Sequence, residues 1–167
     1  RISGAYHSLG VRKGDIVTII MPNTPETVNF MDARRIALMK DGEVLQYDRP
    51  EEMFYHPASK PVADYMGQSN YIKGIVKNGM FQTEVVSFET EKEDGRYELM
   101  VRPSSIHLTK DGACKYKIAE ALFEGETAEI TLERGDEKLL VWLLHKEYAE
   151  LAVTVGDEVS IFVDGKQ

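Results

Sequence analysis

The hydrophobic pattern before residue 67 predicts a short α/β segment. The β-branched run IVTIIM, residues 16–21, predicts a buried strand. ETVNFMDARRIALM, residues 26–39, carries a helical spacing of apolar residues, with Thr24 as a candidate N-cap. IALMKDGEVLQYD, residues 36–48, predicts a hairpin, because two alternating runs flank Asp41-Gly42, a pair that suits a tight turn.

Two short helices are predicted next. RPEEMFYHP places Pro50 in a first helical turn, follows it with two acidic residues that suit the helix dipole, and ends at Pro57. SKPVADYMG has Ser59 as a candidate cap and Gly67 as its end.

After Gly67 the pattern changes to short runs rich in Val, Ile, Tyr and Phe, separated by turn dipeptides such as Asn78-Gly79. This spacing favours a small β-barrel or sandwich. HKEYAELAV, residues 145–153, fits a short helix or a bulged loop. We therefore expect a mostly β fold with a small α/β N-terminal part, divided into residues 1–67 and 68–167. The predicted strands are YIKGIVKNG, MFQTEVVSFE, RYELMVRP, SIHLTK, YKIAEALFEG, TAEITLERGD, EKLLVWLL and DEVSIFVD.

Composition narrows the functional classes. Hydrophobic residues make up 43% of the 167 residues, which is a globular composition, and the net charge is −8. Without a basic stripe, nucleic acid is a poor partner. The longest apolar runs are too short to cross a bilayer, so we expect no direct membrane insertion. The single cysteine, Cys114, fits a reducing, cytoplasmic setting. The chain begins without Met, so we expect a fragment or a processed chain.

Residues 33–74 resemble the end of the nucleotide-binding domain in ABC-type importer ATPases. That family reads ADRIAVM-x-x-G-x-I-x-Q-x-G-x-P-x-E, followed by Y-x-x-P, V-A and G-x-x-N, and leads directly into an accessory β-domain. The matching residues are Arg35, Ile36, Ala37, Met39, Gly42, Gln46, Pro50, Glu52, Pro57, Val62, Ala63, Gly67 and Asn70.

The later strands resemble the regulatory domain of the same family, which is called the TOBE domain. MVRPSSIHL is similar to its VRPE-x-I-x-L strand, with Ser104 in place of the usual acid. FEGETAEITLE is similar to its next strand pair, and VTVGDEVSIFVD to its closing strand. The resemblance implies an OB-like barrel of the TOBE type. It also marks seven regulatory-domain signature residues: Gly67, Asn70, Arg102, Pro103, Gly125, Gly156 and Asp157.

This resemblance implies an accessory module of an importer. In the family, the β-domain packs against its twin in the ATPase dimer and binds a regulatory ligand or protein. We therefore expect a homodimer through the β-domain, and membrane permease subunits as partners in the full-length context. The location would be cytoplasmic, peripheral to the inner face of the cell membrane. The solute could be iron, a polyamine or a sugar.

Residues 1–37 resemble a different family. LGVRKGDIVTIIMPNTPETV is similar to the N-terminal stretch of acyl-CoA synthetases and related AMP-forming ligases, which read LGVKKGDRVAI before PN-x-PE. A chimera or a misassembled gene would explain the junction near Arg35-Ile36-Ala37. The strand and helix of this segment could imitate the elements that an importer ATPase places just before DRIA.

No catalytic site is expected. ATP hydrolysis on this fold needs a Gly-rich loop ending in Lys-Ser/Thr to cradle the phosphates, and the 167 residues contain no Gly-x-x-x-x-Gly-Lys-Ser/Thr. An LSGGQ-like helix start is also missing, and the resemblance puts Thr24 where the family has its switch histidine. We expect no ATPase activity and no bound cofactor, although the full-length family uses ATP and Mg²⁺.

The remaining side chains suggest no metal site. The four histidines show no i, i+4 pairing and share no short segment, so none is assigned as a ligand; they are His7, His56, His107 and His145. Two alternatives to the importer module stay open. One is a fragment of an AMP-forming ligase, which would bind ATP. The other is a small-ligand sensor in which the β-domain binds an oxyanion or a metal.

Overall fold

A computed structural model describes residues 17–20 and 35–163, and within these ranges most of the chain is β-strand. The chain divides into two compact units, Arg1–Gly67 and Gln68–Gln167. The expectation of a mostly β fold is confirmed. None of the helices in the described ranges combines the length and the apolar character needed to span a bilayer.

The first unit contains a three-stranded sheet. Its strands are β1 (Val17–Ile20), β2 (Arg35–Lys40) and β3 (Glu43–Asp48). β2 lies between the other two, parallel to β1 and antiparallel to β3. The predicted turn is confirmed, since Asp41 and Gly42 join β2 to β3 with φ angles of 52° and 85°.

The helix predicted over residues 26–39 is wrong at its C-terminal end. Residues 35–39 belong to β2, where Ile36, Ala37 and Leu38 are buried in succession, as in a central strand that is covered on both faces. The strand conformation depends on pairing with β1 and β3, and the local spacing of apolar residues carries no information about such pairing. The rest of the predicted helix and its candidate cap Thr24 lie outside the described residues.

Both predicted short helices form in the first unit. α1 spans Pro50–Tyr55 and α2 spans Lys60–Met66. Ser59 holds the N-cap position of α2, but its side chain makes no capping hydrogen bond, and Gly67 ends the helix. Met53 and Val62 pack with Ile36 and Leu38 in a small core. Helices and sheet therefore share one buried cluster.

The described part of the second unit, residues 68–163, contains nine strands and two helical segments. The strands are β4 (Asn70–Lys77), β5 (Met80–Gln82), β6 (Ser87–Glu89), β7 (Gly95–Val101), β8 (Ile106–Thr109), β9 (Tyr116–Glu124), β10 (Thr127–Arg134), β11 (Glu137–Leu144) and β12 (Glu158–Val163). A 3₁₀ turn covers Pro103–Ser105, and α3 covers His145–Leu151. Each predicted strand run contains a strand, and 145–153 is mostly helical.

These nine strands form two antiparallel sheets. One has the order β11-β10-β9-β12-β8, and the other has the order β6-β5-β4-β7. Alternate residues of both sheets bury a shared core that includes Ile72, Ile106, Ile118, Ile130 and Val141. Both orders end on edge strands among the described residues, so closure into an OB-like barrel stays a prediction.

Candidate functional site

A buried side chain joins the two sheets of the second unit. Asn70, at the start of β4, is only 6% exposed. Its carboxamide nitrogen donates to the Leu140 carbonyl at 2.7 Å, and its carboxamide oxygen accepts from the Leu140 N–H at 2.7 Å. The amide thus occupies both outward backbone groups of Leu140 on the edge strand β11, in the way that a neighbouring strand would.

Arg102 extends this buried link. Its side chain is 1% exposed, and its Nη1 donates to the Gln68 carbonyl at 3.2 Å and to the Ser69 Oγ at 2.7 Å. Pro103 follows and opens the 3₁₀ turn. Arg102 therefore holds the segment that leads into β4, and Asn70 pairs with Val101 just before it.

Three of the seven signature residues thus lie around the start of β4, namely Asn70, Arg102 and Pro103. Gly67 ends α2 of the first unit. Gly125 lies elsewhere, in the β9–β10 turn with a φ of 78°. Gly156 and Asp157 lie in the turn before β12, where the Asp157 carboxylate accepts the Thr154 N–H at 2.8 Å. A regulatory role for these residues stays a prediction.

A second cluster of polar residues lies in the five-stranded sheet, which we call the large sheet. It is found where the alternating apolar residues that face the core give way to charged residues. Ile130 and Leu132 of β10 are buried, and Arg134 is the next residue in their series. Leu139 of β11 is buried as well, and Glu137 precedes it in the same alternation. β10 and β11 pair Arg134 with Glu137. Two charged side chains therefore continue an otherwise apolar face.

A register shift precedes this point on the neighbouring strand. The pairing between β9 and β10 shifts by one residue between Thr131 and Leu132, which is a β-bulge. Bulges re-aim the side chains near them. Beyond the shift, the Arg134 guanidinium carbon lies 4.8 Å from the centroid of the buried Tyr116 ring. The cation consequently rests on a fixed aromatic face.

Among the described residues, the Arg134 guanidinium contacts the side chains of Tyr116, Glu137, Glu84 and Cys114. Its Nη2 donates to Glu137 Oε2 at 3.1 Å, and the same oxygen accepts the Tyr116 hydroxyl at 2.9 Å. Its Nη1 forms an ion pair with Glu84, which lies between β5 and β6 of the other sheet, and contacts the Cys114 thiol. The charged pair Glu84–Arg134 is thus a second bridge between the two sheets.

This arrangement shifts four pKa values. The hydrogen bond from Arg134 lowers the pKa of the Glu84 carboxyl. Burial raises the pKa of the Cys114 thiol, and the Arg134 charge opposes this shift. Burial and then the hydrogen bond to Glu137 raise the pKa of the Tyr116 hydroxyl. Burial works against the charge on Arg134, but the hydrogen bond to Glu84 and the other acidic groups raise the pKa of its guanidinium. These directions keep Arg134 cationic and Glu84 anionic at neutral pH.

The cluster borders a crevice of about 480 Å³ between the two sheets. Its polar lining includes Lys73, Glu84 and Arg134, and its apolar lining includes Ile75 and Val85. Concave sites of this size with an apolar lining and a few convergent polar groups are typical of small-molecule binding. Within residues 17–20 and 35–163, no three His, Cys, Asp or Glu side chains converge as they would around a metal ion.

An apolar patch lies on the outer face of the large sheet. It consists of Leu122, Trp142 and Leu144, which are 46%, 38% and 56% exposed. Leu122 and Trp142 both lie opposite Glu129 in the strand register, and Trp142 Nε1 donates to the Glu129 carboxylate at 2.9 Å. β11 is an edge strand, so the patch adjoins an edge without a further strand in the described chain.

The chain is similar over most of its length to importer ATP-binding proteins. The spermidine/putrescine import ATP-binding protein PotA of Borrelia garinii subsp. bavariensis is 32% identical over 138 residues, covering 78% of this chain and 38% of the relative. The Fe(3+) ions import ATP-binding protein FbpC of Vibrio cholerae is 30% identical over 124 residues, covering 68% and 35%. FbpC 2 of Rhodococcus jostii is 28% identical over 160 residues, covering 92% and 46%. No family model matches the chain.

The resemblance to ABC importer ATP-binding proteins is therefore confirmed at the level of homologues. The chain spans less than half the length of these relatives. A stretch that covers 92% of 167 residues must include part of residues 1–37, so importer similarity reaches into the segment that also resembles a ligase. The TOBE-type domain and the chimera stay predictions.

We did not predict the Arg134 cluster from the sequence. This cluster consists of Arg134 and its neighbours Glu84, Cys114, Tyr116 and Glu137. The signal is present, because Arg134 and Glu137 interrupt two series of alternating apolar residues at positions that face the core. The ion-pair partner Glu84 and the thiol of Cys114 come from distant segments. Nothing in the sequence links them to Arg134.

Proposed function

We propose that residues 68–167 are the accessory, TOBE-type β-domain of an ABC importer ATP-binding protein, and that they regulate and dimerise the ATP-hydrolysing subunit. The similarity to import ATP-binding proteins over 124 to 160 residues carries this proposal. The strand-rich fold of residues 68–167 supports it. Residues 1–67 would then be an incomplete α/β segment from the end of the ATPase domain. The seven signature residues would frame the regulatory domain.

The proposed module is catalytically incomplete. The relatives are ATP-binding proteins by name, but the 167 residues contain no Gly-x-x-x-x-Gly-Lys-Ser/Thr to bind the phosphates of a nucleotide. Hydrolysis would therefore depend on parts of a longer protein.

Calorimetric titration of the chain with Mg-ATP tests this proposal. We expect no saturable heat, because the backbone cradle and the lysine that hold the β- and γ-phosphates are missing from the sequence. Saturable binding with a defined stoichiometry would contradict the proposal and favour an AMP-forming ligase fragment. Denatured chain in the same buffer serves as the control for heats of dilution.

Homodimerisation is the second part of the proposal. The apolar patch of Leu122, Trp142 and Leu144 supports it, because exposed apolar side chains beside a sheet edge favour association. Packing of this patch against its twin would give a two-fold contact in which each copy contributes the same residues.

The remaining partners follow from the importer assignment. The named relatives import spermidine/putrescine or Fe(3+) ions, so we propose that the longer protein serves the uptake of a polyamine, of iron or of a related solute. It would work with membrane permease subunits at the cytoplasmic face of the cell membrane. A sugar stays in this proposed solute class.

A further inference from the structure

The Arg134 guanidinium already holds a carboxylate from across the crevice. Glu84 belongs to the connection between β5 and β6, whereas Arg134 ends β10 of the other sheet, 50 residues further along the chain. Planar guanidinium groups bind carboxylates with directional, charge-assisted hydrogen bonds. The chain's own glutamate therefore identifies the chemical group that this position accepts.

The two carboxylates on Arg134 are not held equally. Glu137 accepts from both Arg134 and the buried Tyr116 hydroxyl, and its side chain is 26% exposed. Glu84 accepts from Arg134 and, at 3.5 Å, from the Cys114 thiol, but its side chain is 68% exposed. An exposed ion pair gains little in water, since solvent and salt screen it. Glu84 is consequently the partner that a dissolved anion can replace.

Release of Glu84 needs no rearrangement of the backbone. The turn that carries it is held by Thr83, whose N–H donates to the Val86 carbonyl at 2.9 Å and whose Oγ1 accepts from the N–H groups of Val85 and Val86. None of these contacts uses the Glu84 side chain, so its rotation away from Arg134 would leave them in place. Rotation of an exposed side chain is fast.

The crevice suits an organic anion once Glu84 has rotated away. Lys73, Lys77 and Arg134 line it, and Glu137 is then the one carboxylate among its lining residues in the described chain. Ile75 offers apolar surface to a carbon skeleton. The lining thus combines a net positive charge with an apolar wall.

We propose that this crevice binds a small organic carboxylate, and that Glu84 is an internal competitor which the ligand displaces from Arg134. The proposal concerns residues 68–167 alone and does not depend on the importer assignment. It narrows the small-ligand sensor hypothesis from oxyanions and metals to carboxylates. Ligand binding would break the Glu84–Arg134 ion pair between the two sheets and form an ion pair between Arg134 and the ligand.

Calorimetric titration with glutarate tests the proposal, with glutaramide as the neutral analogue and sulfate as an inorganic anion. We expect glutarate to bind the natural chain and glutaramide to give no heat. The Glu84→Gln variant should bind glutarate about 1.5- to fivefold more tightly, the range that loss of one exposed ion pair as a competitor allows. Misfolding cannot produce such a gain. Glu91→Gln, the same change on an exposed residue outside the crevice lining, should leave the affinity unchanged.

The Arg134→Met variant supplies the opposite test. It should keep its circular dichroism spectrum and lose glutarate binding, because the guanidinium is the group that the carboxylate meets. Unchanged affinity in Glu84→Gln, or binding that survives Arg134→Met, would overturn the proposal. Sulfate binding as tight as glutarate with the same dependence on both residues would overturn the assignment to organic carboxylates.

Discussion

Two polar bridges join the two sheets of the second unit, one through Asn70 and one through Glu84 and Arg134. They differ in burial and in charge. Asn70 is buried and neutral, and both of its hydrogen bonds end on the backbone of Leu140. Glu84 and Arg134 are charged, partly exposed and joined through flexible side chains. A buried amide with fixed partners has no competitor in solution, whereas an exposed ion pair has many. We therefore expect the Asn70 bridge to fix the arrangement of the sheets and the Glu84–Arg134 bridge to be exchangeable.

The energies of the two bridges follow from solvent access. A buried donor or acceptor that loses its partner costs about 1–3 kcal/mol, because water cannot replace the lost bond. Loss of an exposed ion pair changes the free energy of unfolding very little, because water and salt ions solvate the separated charges. Asn70 should therefore govern stability, and Glu84 should govern ligand access.

Asn70→Ala should give the largest effect. The substitution leaves the N–H and C=O of Leu140 without the carboxamide, so we expect the free energy of unfolding to fall by about 2–4 kcal/mol. Urea unfolding followed by circular dichroism measures the change. Gln82→Ala, which removes an exposed carboxamide from β5, is the matched control and should stay near the natural value. The comparison would fail if Glu84→Gln lowered the unfolding midpoint as much as Asn70→Ala.

The pH dependence of Glu84 is a smaller effect. Arg134 lowers the pKa of its carboxyl below the usual value of 4.5. A lowered folded pKa means that the ion pair contributes fully above pH 4.5 and is lost as the pH falls through the folded value. Carboxyl carbon chemical shifts followed by NMR should give a Glu84 midpoint below 4.5.

Two variants sharpen the titration. Arg134→Met should return the Glu84 midpoint towards its usual value, because the hydrogen bond from the guanidinium is the main cause of the shift. Lys138→Met removes a cation that pairs with Glu133 and should leave the Glu84 midpoint in place. A Glu84 midpoint that is the same in the natural chain and in Arg134→Met would show that the exposed bridge does not form in solution.

Local signals allowed much of the fold to be predicted. Asp41-Gly42 and Asn78-Gly79 specify tight turns by their own backbone preferences, and both join paired strands with positive φ angles. Pro50 and Gly67 likewise mark a helix start and a helix end without help from distant residues. These predictions succeeded because each depends on a few adjacent residues.

The errors and omissions arose where distant segments meet. Residues 36–39 match both the helical pattern and the hairpin pattern, and β2 pairs with β1 across a long sequence separation. Asn70 was identified by resemblance, but its bond to Leu140 spans 70 residues and could not be foreseen. Arg134 was visible as a charge in an apolar alternation, yet its partner Glu84 was not. Side-chain contacts of this kind depend on the assembled sheets.

Homodimerisation through the β-domain is the part of the proposed function that a single mass measurement tests most directly. Light scattering coupled to size exclusion, at tens of micromolar chain, should give twice the mass of one chain. The double variant Leu122→Ser with Leu144→Ser removes most of the apolar patch and should shift the mass to a monomer, whereas Val155→Ser, an exposed apolar residue in the turn before β12, should not. A natural chain that remains strictly monomeric at these concentrations would contradict the account.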